Sequence, residues 1–241
     1  MTIAENLERV RETISAACAS VGRSPDAVTL IVVSKTHSPD RLLEAAAAGA
    51  QHFGENRVEE SAAKMPVVDA RLTHPVTWHM IGHIQSRKSK DAVALFRWIH
   101  SVDSVKLAEK LARNAVETGR MLDILLEMNV SGEASKGGFD AADWQAQAER
   151  RELLAATVGE LAVLPGLRLR GVMTMAPIVQ DVEETRPIFA SLAALREWLA
   201  PYAGPAFTEL SMGMTDDYSV AVQEGATMVR VGRAIFGERT G

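Results

Sequence analysis

Apolar residues along this chain follow a repeating order: a short, continuously apolar run, a turn, then a stretch with helical spacing. The first run, Thr29-Leu-Ile-Val-Val-Ser-Lys35, is almost unbroken and β-branched, as a parallel strand covered on both faces requires. Ser38-Pro39 then reads as an N-cap followed by proline in the first helical position. Leu42, Leu43, Ala46 and Ala47 form an inner stripe, and Gly49 is a C-terminal stop. Further strands are predicted over 51–53, 76–81, 98–101, 123–130, 167–173, 208–212 and 228–231. The intervening helices begin near Asn56 and span 86–95. Another carries Val105, Ala108, Leu111, Ala112 and Val116 on one face before Gly119, and a long one covers 141–161. The next carries Ile188, Phe189, Leu192, Leu195 and Leu199, and Thr215 reads as a helix cap. Eight such units predict a closed parallel (β/α)8 TIM barrel forming one domain over 1–241, although an open doubly wound sheet has the same periodicity. Residues 1–28 predict an extra amphipathic helix, with Leu7, Val10, Ile14, Cys18 and Val21 on its stripe, packed on the barrel.

Composition narrows the class of partner. A formal charge of −5 argues against an electrostatic nucleic-acid binder. A single cysteine, Cys18, excludes an internal disulfide and a cysteine-rich metal site, and its place on an apolar stripe reads as a small buried hydrophobe. The N-terminus has early acids and no long apolar run, so it is not read as a secretory signal, and no stretch reaches the roughly 20 apolar residues of a membrane span. The expectation is a cytoplasmic protein that touches neither membrane nor nucleic acid.

In such a barrel, functional side chains sit at the C-terminal strand ends and in the loops beyond. Lys35 falls there. A partly desolvated lysine amine can attack an aldehyde to form an imine, whereas an ordinary strand-end lysine snorkels to a carboxylate. Loops after the last two barrel strands commonly hold phosphate. Ser211-Met212-Gly213 supplies a hydroxyl and backbone N–H groups there, and Gly232 and Arg233 supply further N–H groups, unless the glycines serve only as turns. Arg230, two residues before Gly232, needs a partner inside the mouth: a ligand ring nitrogen, or an acid such as Glu209 or Glu127. His79 and His83 have i, i+4 spacing, but Gly82 lies between them in a strand-to-loop segment, so no metal site is read. The loop 131–138 is a phosphate cradle, a lid or a solvated turn, and Asp216-Asp217 are first-turn helix acids rather than a catalytic pair.

Several motifs occur in order along nearly the whole chain. They are Val33-Ser-Lys-Thr36, His52-Phe-Gly-Glu-Asn56, Trp78-His-Met-Ile-Gly-His-Ile-Gln-Ser86, Arg170-Gly-Val-Met-Thr-Met175, Leu210-Ser-Met-Gly-Met214 and Val229-Arg-Val-Gly232 with Ile235-Phe-Gly237. Together they resemble the pyridoxal phosphate homeostasis protein family. The resemblance implies a barrel of the alanine-racemase N-terminal type that holds pyridoxal 5'-phosphate as a Schiff base on Lys35, with Asn56 beside it. It also implies that Ser211, Gly232 and Arg233 hold the phosphate and that Arg230 faces the pyridine nitrogen. Arg233 stands where relatives usually carry a small hydroxyl residue, so the hydroxyl contact is lost; its backbone N–H can still serve, and its long side chain either reaches the phosphate instead or points away.

The same resemblance implies a carrier that buffers the cofactor and delivers it to apo-enzymes, without catalytic residues of its own and acting as a monomer. Two other readings compete. A cofactor-dependent amino-acid racemase would need a second base, and neither Tyr202 nor Tyr218 is placed as one; the chain ends at Gly241 without the racemases' C-terminal β-domain. A cofactor-free Schiff-base aldolase would use Lys35 and a phosphate site but would have no need of Arg230.

Overall fold

The computed structural model describes residues 1–133 and 135–237; Ala134 and residues 238–241 lie outside it. The strands are β1 (Thr29–Val33), β2 (His52–Glu55), β3 (Thr77–Met80), β4 (Trp98–Val102), β5 (Leu122–Asn129), β6 (Phe139–Asp140), β7 (Leu167–Met173), β8 (Glu209–Ser211) and β9 (Met228–Val231). All pairings are parallel, in the order β4-β3-β2-β1-β9-β8-β7-β5-β6, and β4 also pairs with β5. That last pairing closes the sheet into a (β/α)8 barrel and removes the open-sheet alternative. The two-residue β6 is an extra strand laid against the end of β5, where Met128 and Asn129 pair with Phe139 and Asp140.

The helices are α1 (Ile3–Ser20), α2 (Pro39–Ala47), α3 (Val58–Asp69), α4 (Ser89–Leu95), α5 (Val105–Glu117), α6 (Ala148–Ala162), α7 (Arg186–Ala203), α8 (Tyr218–Gln223) and α9 (Arg233–Phe236). Their apolar faces and the outward side chains of the strands form one large core. Ile31, Leu125, Met173 and Met228, with Trp98 against them, form a separate cluster on the inward faces of the strands, so the lumen is packed and is not a channel. Ion pairs brace the N-terminal end of the barrel: Asp123 meets Arg97 at 3.2 Å and Arg168 at 3.0 Å, and Glu209 lies 3.5 Å from Arg170.

The extra N-terminal helix packs on the outside of the barrel. It begins in a capping box between Thr2 and Glu5, and Asn6 donates to the Ile235 carbonyl at 2.9 Å. Its buried stripe is Ile3, Leu7, Val10, Ile14, Ala17 and Cys18; Val21 lies past the last turn and is exposed. Burial raises the Cys18 thiol pKa, as for an inert buried sulfur.

Several local expectations shift. On α2 the inner face is Leu42, Ala45 and Ala46, with Ala47 turned out, and Ser38 occupies the N-cap without a side-chain hydrogen bond. Val116 of α5 is exposed, its place on the inner face taken by Leu107 and Ala115. Residues 141–147 form turns, so the helix read over 141–161 begins only at Ala148. The cap of α8 is Asp217 rather than Thr215.

Candidate functional site

The C-terminal mouth brings Lys35, Asn56, Arg230 and the two glycine turns to one end of the barrel. β1 ends at Val33, two residues short of the expected boundary, so Lys35 sits half-buried in a tight turn and not on the strand itself. Thr36 next to it adopts φ 66°, a left-handed conformation that a β-branched residue resists unless its surroundings enforce it.

The enforcement comes from β2 and α3. Lys64 donates to the Ser34 carbonyl at 2.9 Å, the Ser34 hydroxyl donates to Glu55 Oε1 at 2.5 Å, and the Thr36 N–H donates to Glu60 Oε1 at 2.6 Å. The Lys64 ammonium is also ion-paired with Glu55 at 2.7 Å and Glu60 at 3.1 Å. Lys64 and Glu55 are both buried. Burial pushes the Glu55 carboxyl up, against the pull of Lys64, and its Oε2 has no hydrogen-bond partner. This ionic clamp fixes both residues flanking Lys35. Sequence reasoning gave no role to Glu55, Glu60 or Lys64; the available signal was Glu55 closing a short strand bound for the interior, a position that demands a buried partner.

On the other side of β1 lies β9. Ile31 pairs with Arg230 and Val32 with Val231, so Gly232 follows on beside Val33. A Cβ on Gly232 would lie 3.1 Å from both the Val33 carbonyl oxygen and its Cβ, so any larger residue would push the two strand ends apart by a few tenths of an ångström. The Gly232 carbonyl accepts from the N–H groups of Ile235 and Phe236. The trans peptide therefore directs the Arg233 N–H the opposite way, out of the start of α9. The Arg233 guanidinium is on Asp216, in an exposed ion pair.

The turn after β8 differs from its sequence reading. Ser211 is fully buried, and its hydroxyl lies between Arg230, which donates to it at 2.7 Å, and His100 Nδ1 at 2.8 Å. The Met212 side chain belongs to the core, and its N–H donates to Met228. The Met214 N–H donates to Asp217 at 2.5 Å. The donor this stretch can offer an anion is therefore the N–H of Gly213, at φ 92°, in place of the Ser211 hydroxyl.

Arg230 is buried. Its second nitrogen donates to the Thr174 carbonyl at 2.9 Å, and Thr174 in turn donates from its hydroxyl to Met128 at 2.8 Å. Neither proposed acid partner contacts it: Glu209 is taken by Arg170 and Thr227, and Glu127 acts on it only through its field, as does Asp217. Burial lowers the Arg230 pKa to about 10, and raises those of Glu127 and Asp217.

Asn56 follows β2 and is half-buried. The β3 turn presses Gly82 against it, where a Cβ would lie 2.3 Å from the Asn56 carbonyl oxygen. Asn56, Arg57, Gly82, His83, Gln85 and Lys88 are among the lining of a cavity of about 420 Å³ on this side of the mouth. His83 is paired with Asp103 at 2.9 Å, while His79 is buried inside the barrel. Among the described residues no cluster of histidine, cysteine and carboxylate side chains is placed to hold a metal. The loop after β5 folds back on the strand: Asn129 Oδ1 accepts the Gly132 N–H at 3.0 Å, and Lys136 donates to the Met175 carbonyl at 2.9 Å.

The C-terminal mouth of the closed parallel barrel thus gathers an amine on a clamped turn beside β1, backbone N–H groups after the last two strands and a buried guanidinium on β9. Residues 2–240 match the alanine racemase N-terminal domain family. The pyridoxal phosphate homeostasis protein of Pseudomonas aeruginosa is 41% identical over 239 residues, covering 99% of this chain and 96% of that protein. PipY of Synechococcus elongatus, solved without PLP, is 40% identical with a TM-score of 0.83, covering 98% of this chain and all of that one. The same protein solved with PLP bound gives 39% identity and a TM-score of 0.79 at the same coverage. The chain belongs to the pyridoxal phosphate homeostasis protein family.

Proposed function

We propose that this protein binds pyridoxal 5'-phosphate at the barrel mouth as a Schiff base on Lys35. It acts as a monomeric, single-domain cytoplasmic carrier that buffers the cofactor and supplies it to apo-enzymes. The observation that carries this reading is the β1–β9 register, which sets the end of β1, with Lys35 two residues beyond, against Gly232 and sets Arg230 on the inward face. The family's name and the PLP-bound PipY structure support the choice of ligand.

In this reading the N–H groups of Gly213, Gly232 and Arg233 receive the phosphate, Arg230 faces the ring nitrogen and Asn56 flanks the ring. The bound cofactor supplies an electrophilic aldehyde and a ring able to withdraw electrons. An arginine opposite the ring nitrogen keeps that nitrogen unprotonated, which weakens the withdrawal and suits storage better than turnover. The clamp of Glu55, Glu60 and Lys64 holds the turn so that the Lys35 amine meets the aldehyde in a fixed position. Among the described residues no helix is long and apolar enough to cross a membrane.

The test is an absorbance spectrum of wild type and Lys35→Ala, with pyridoxal phosphate added and then a panel of amino acids. The carrier reading expects an imine band in wild type that is absent from the variant, and no amino acid converted. Racemised amino acid would make the protein an enzyme, and a wild type without the band would overturn the cofactor assignment.

A further inference from the structure

Three histidines from adjacent strands are joined nitrogen to nitrogen inside the barrel. His52 Nδ1 lies 3.0 Å from His79 Nε2, and His79 Nδ1 lies 2.9 Å from His100 Nε2. His100 Nδ1 then lies 2.8 Å from the Ser211 hydroxyl, to which Arg230 donates at 2.7 Å. His52 is half-buried at the start of β2; His79, His100 and Ser211 are completely enclosed.

Only one arrangement of protons satisfies this chain. A guanidinium can only donate, so the Ser211 oxygen accepts from Arg230. The single Ser211 proton must find an acceptor, because a buried hydroxyl left unpaired is costly, and the acceptor at hand is His100 Nδ1. His100 is therefore neutral, with its proton on Nε2, donated to His79 Nδ1. His79 by the same step carries its proton on Nε2 and donates to His52 Nδ1, leaving the His52 proton on its own Nε2. Burial independently holds His79 and His100 well below the usual histidine range, and burial also lowers His52. His79 stacks on Trp98 with ring centroids 5.8 Å apart, which fixes the ring planes.

We propose that His52, His79, His100 and Ser211 form a directed hydrogen-bond chain that positions Arg230, presenting an oriented acceptor to its guanidinium so that it stays a fixed donor toward the bound ligand. His100 and Ser211 are positioning residues in this scheme. The part concerning the ligand rests on the reading that Arg230 faces the cofactor ring; the chain itself does not. Among the described residues two of the five guanidinium donors have partners, Ser211 and Thr174, and the proposal assigns the rest to the ligand. The charges that bear on Arg230 are Asp217 at the start of α8 and Glu127 on β5, both attractive but neither in contact, so the short-range solvation of this cation comes from neutral groups. Proton movement along the chain from the Arg230 end would leave a neutral arginine and a charged His52; what opposes it is that a guanidinium is a far weaker acid than an imidazolium, the more so because burial lowers His52.

The experiment has two arms. In the first, 15N-edited NMR on the cofactor-free wild type reads the histidine tautomers near neutral pH. His79 and His100 are expected to be neutral Nε2–H forms, and an Nδ1–H or doubly protonated His100 overturns the chain whether or not the protein binds pyridoxal phosphate. In the second, the imine band formed with pyridoxal phosphate is titrated in wild type, His100→Phe and His100→Gln. Glutamine can accept from Ser211 and donate to His79; phenylalanine can do neither. The imine protonation midpoint is expected to shift by about half a pH unit or more in His100→Phe and to return toward wild type in His100→Gln. Equal midpoints in all three overturn the positioning role. Should His100→Phe not fold, a His100→Gln midpoint matching wild type together with the expected tautomers supports the chain, and reversed tautomers overturn it. Absence of a band in wild type is the failure of the cofactor reading and leaves the first arm to decide the chain.

Discussion

Two cations are buried beside the barrel mouth, and they are stabilised in opposite ways. Lys64 sits against two carboxylates, Glu55 at 2.7 Å and Glu60 at 3.1 Å. Among the described residues Arg230 donates to a hydroxyl and a carbonyl, with Asp217 and Glu127 acting from further away. A close carboxylate saturates a cation electrostatically and in hydrogen bonds, which suits a clamp that holds the Lys35 turn. Neutral partners orient a guanidinium while leaving its charge unneutralised, which suits a group meant to meet a ligand. The same cost of burying charge is thus answered once for architecture and once for recognition.

The comparison is broken most severely at the clamp. Lys64→Ala strands a buried carboxylate and should lower stability by about 3–5 kcal/mol in urea unfolding. Arg230→Met strands only neutral acceptors and should cost about 1–3 kcal/mol; an equal or larger loss at Arg230 would mean that its distant acids are true partners. A second test uses pH. His79 and His100 have folded pKa values below their unfolded ones, so as pH falls below about 6.5 the unfolded chain binds protons that the folded chain refuses. Stability should drop on acidification by up to about 3 kcal/mol per pH unit for the two groups together. The raised carboxyls Glu55, Glu127 and Asp217 act with the opposite sign, adding stability as pH falls through their folded pKa values. Replacing His79 with Gln should flatten the acid slope by about one proton's worth in denaturant titrations at pH 5–7. The smallest effect is expected at Arg233→Ala, which removes an exposed ion pair with Asp216 and should cost under about 1 kcal/mol. Because its proposed phosphate contact is the backbone N–H, pyridoxal phosphate affinity should change less than about threefold by fluorescence titration.

Sequence pattern located the elements whose limits are set locally. The strands expected at 167–173 and 228–231 coincide with β7 and β9, because an apolar run bounded by turns carries its own boundaries. Where distant contacts decide, the pattern failed. Ser34-Lys35 reads as more strand, yet Glu55, Glu60 and Lys64 bend it into a turn from other elements. Residues 141–147 read as helix, yet Asp143 adopts φ 49° and the Trp144 indole donates to Ser191 at 3.1 Å, holding the segment away from helical geometry. The histidine chain was invisible for a related reason. His52, His79 and His100 are separated by more than twenty residues each, and only closure and register turn them to the same interior. Ser211 shows the limit of motif reasoning most plainly: its location was right, but the partner of its hydroxyl depends on Arg230 and His100, which no local pattern reveals.

The β1–β9 seam also bears on how the protein is made. It joins Thr29 to Met228, so the lysine side and the glycine side of the mouth come from segments far apart in the sequence. During synthesis from the N-terminus, β1 waits with one open edge until β9 has emerged from the ribosome. Any ligand held across that seam can load only after β9 is made, and a nascent barrel short of β9 would expose an unpaired strand edge instead of a binding site.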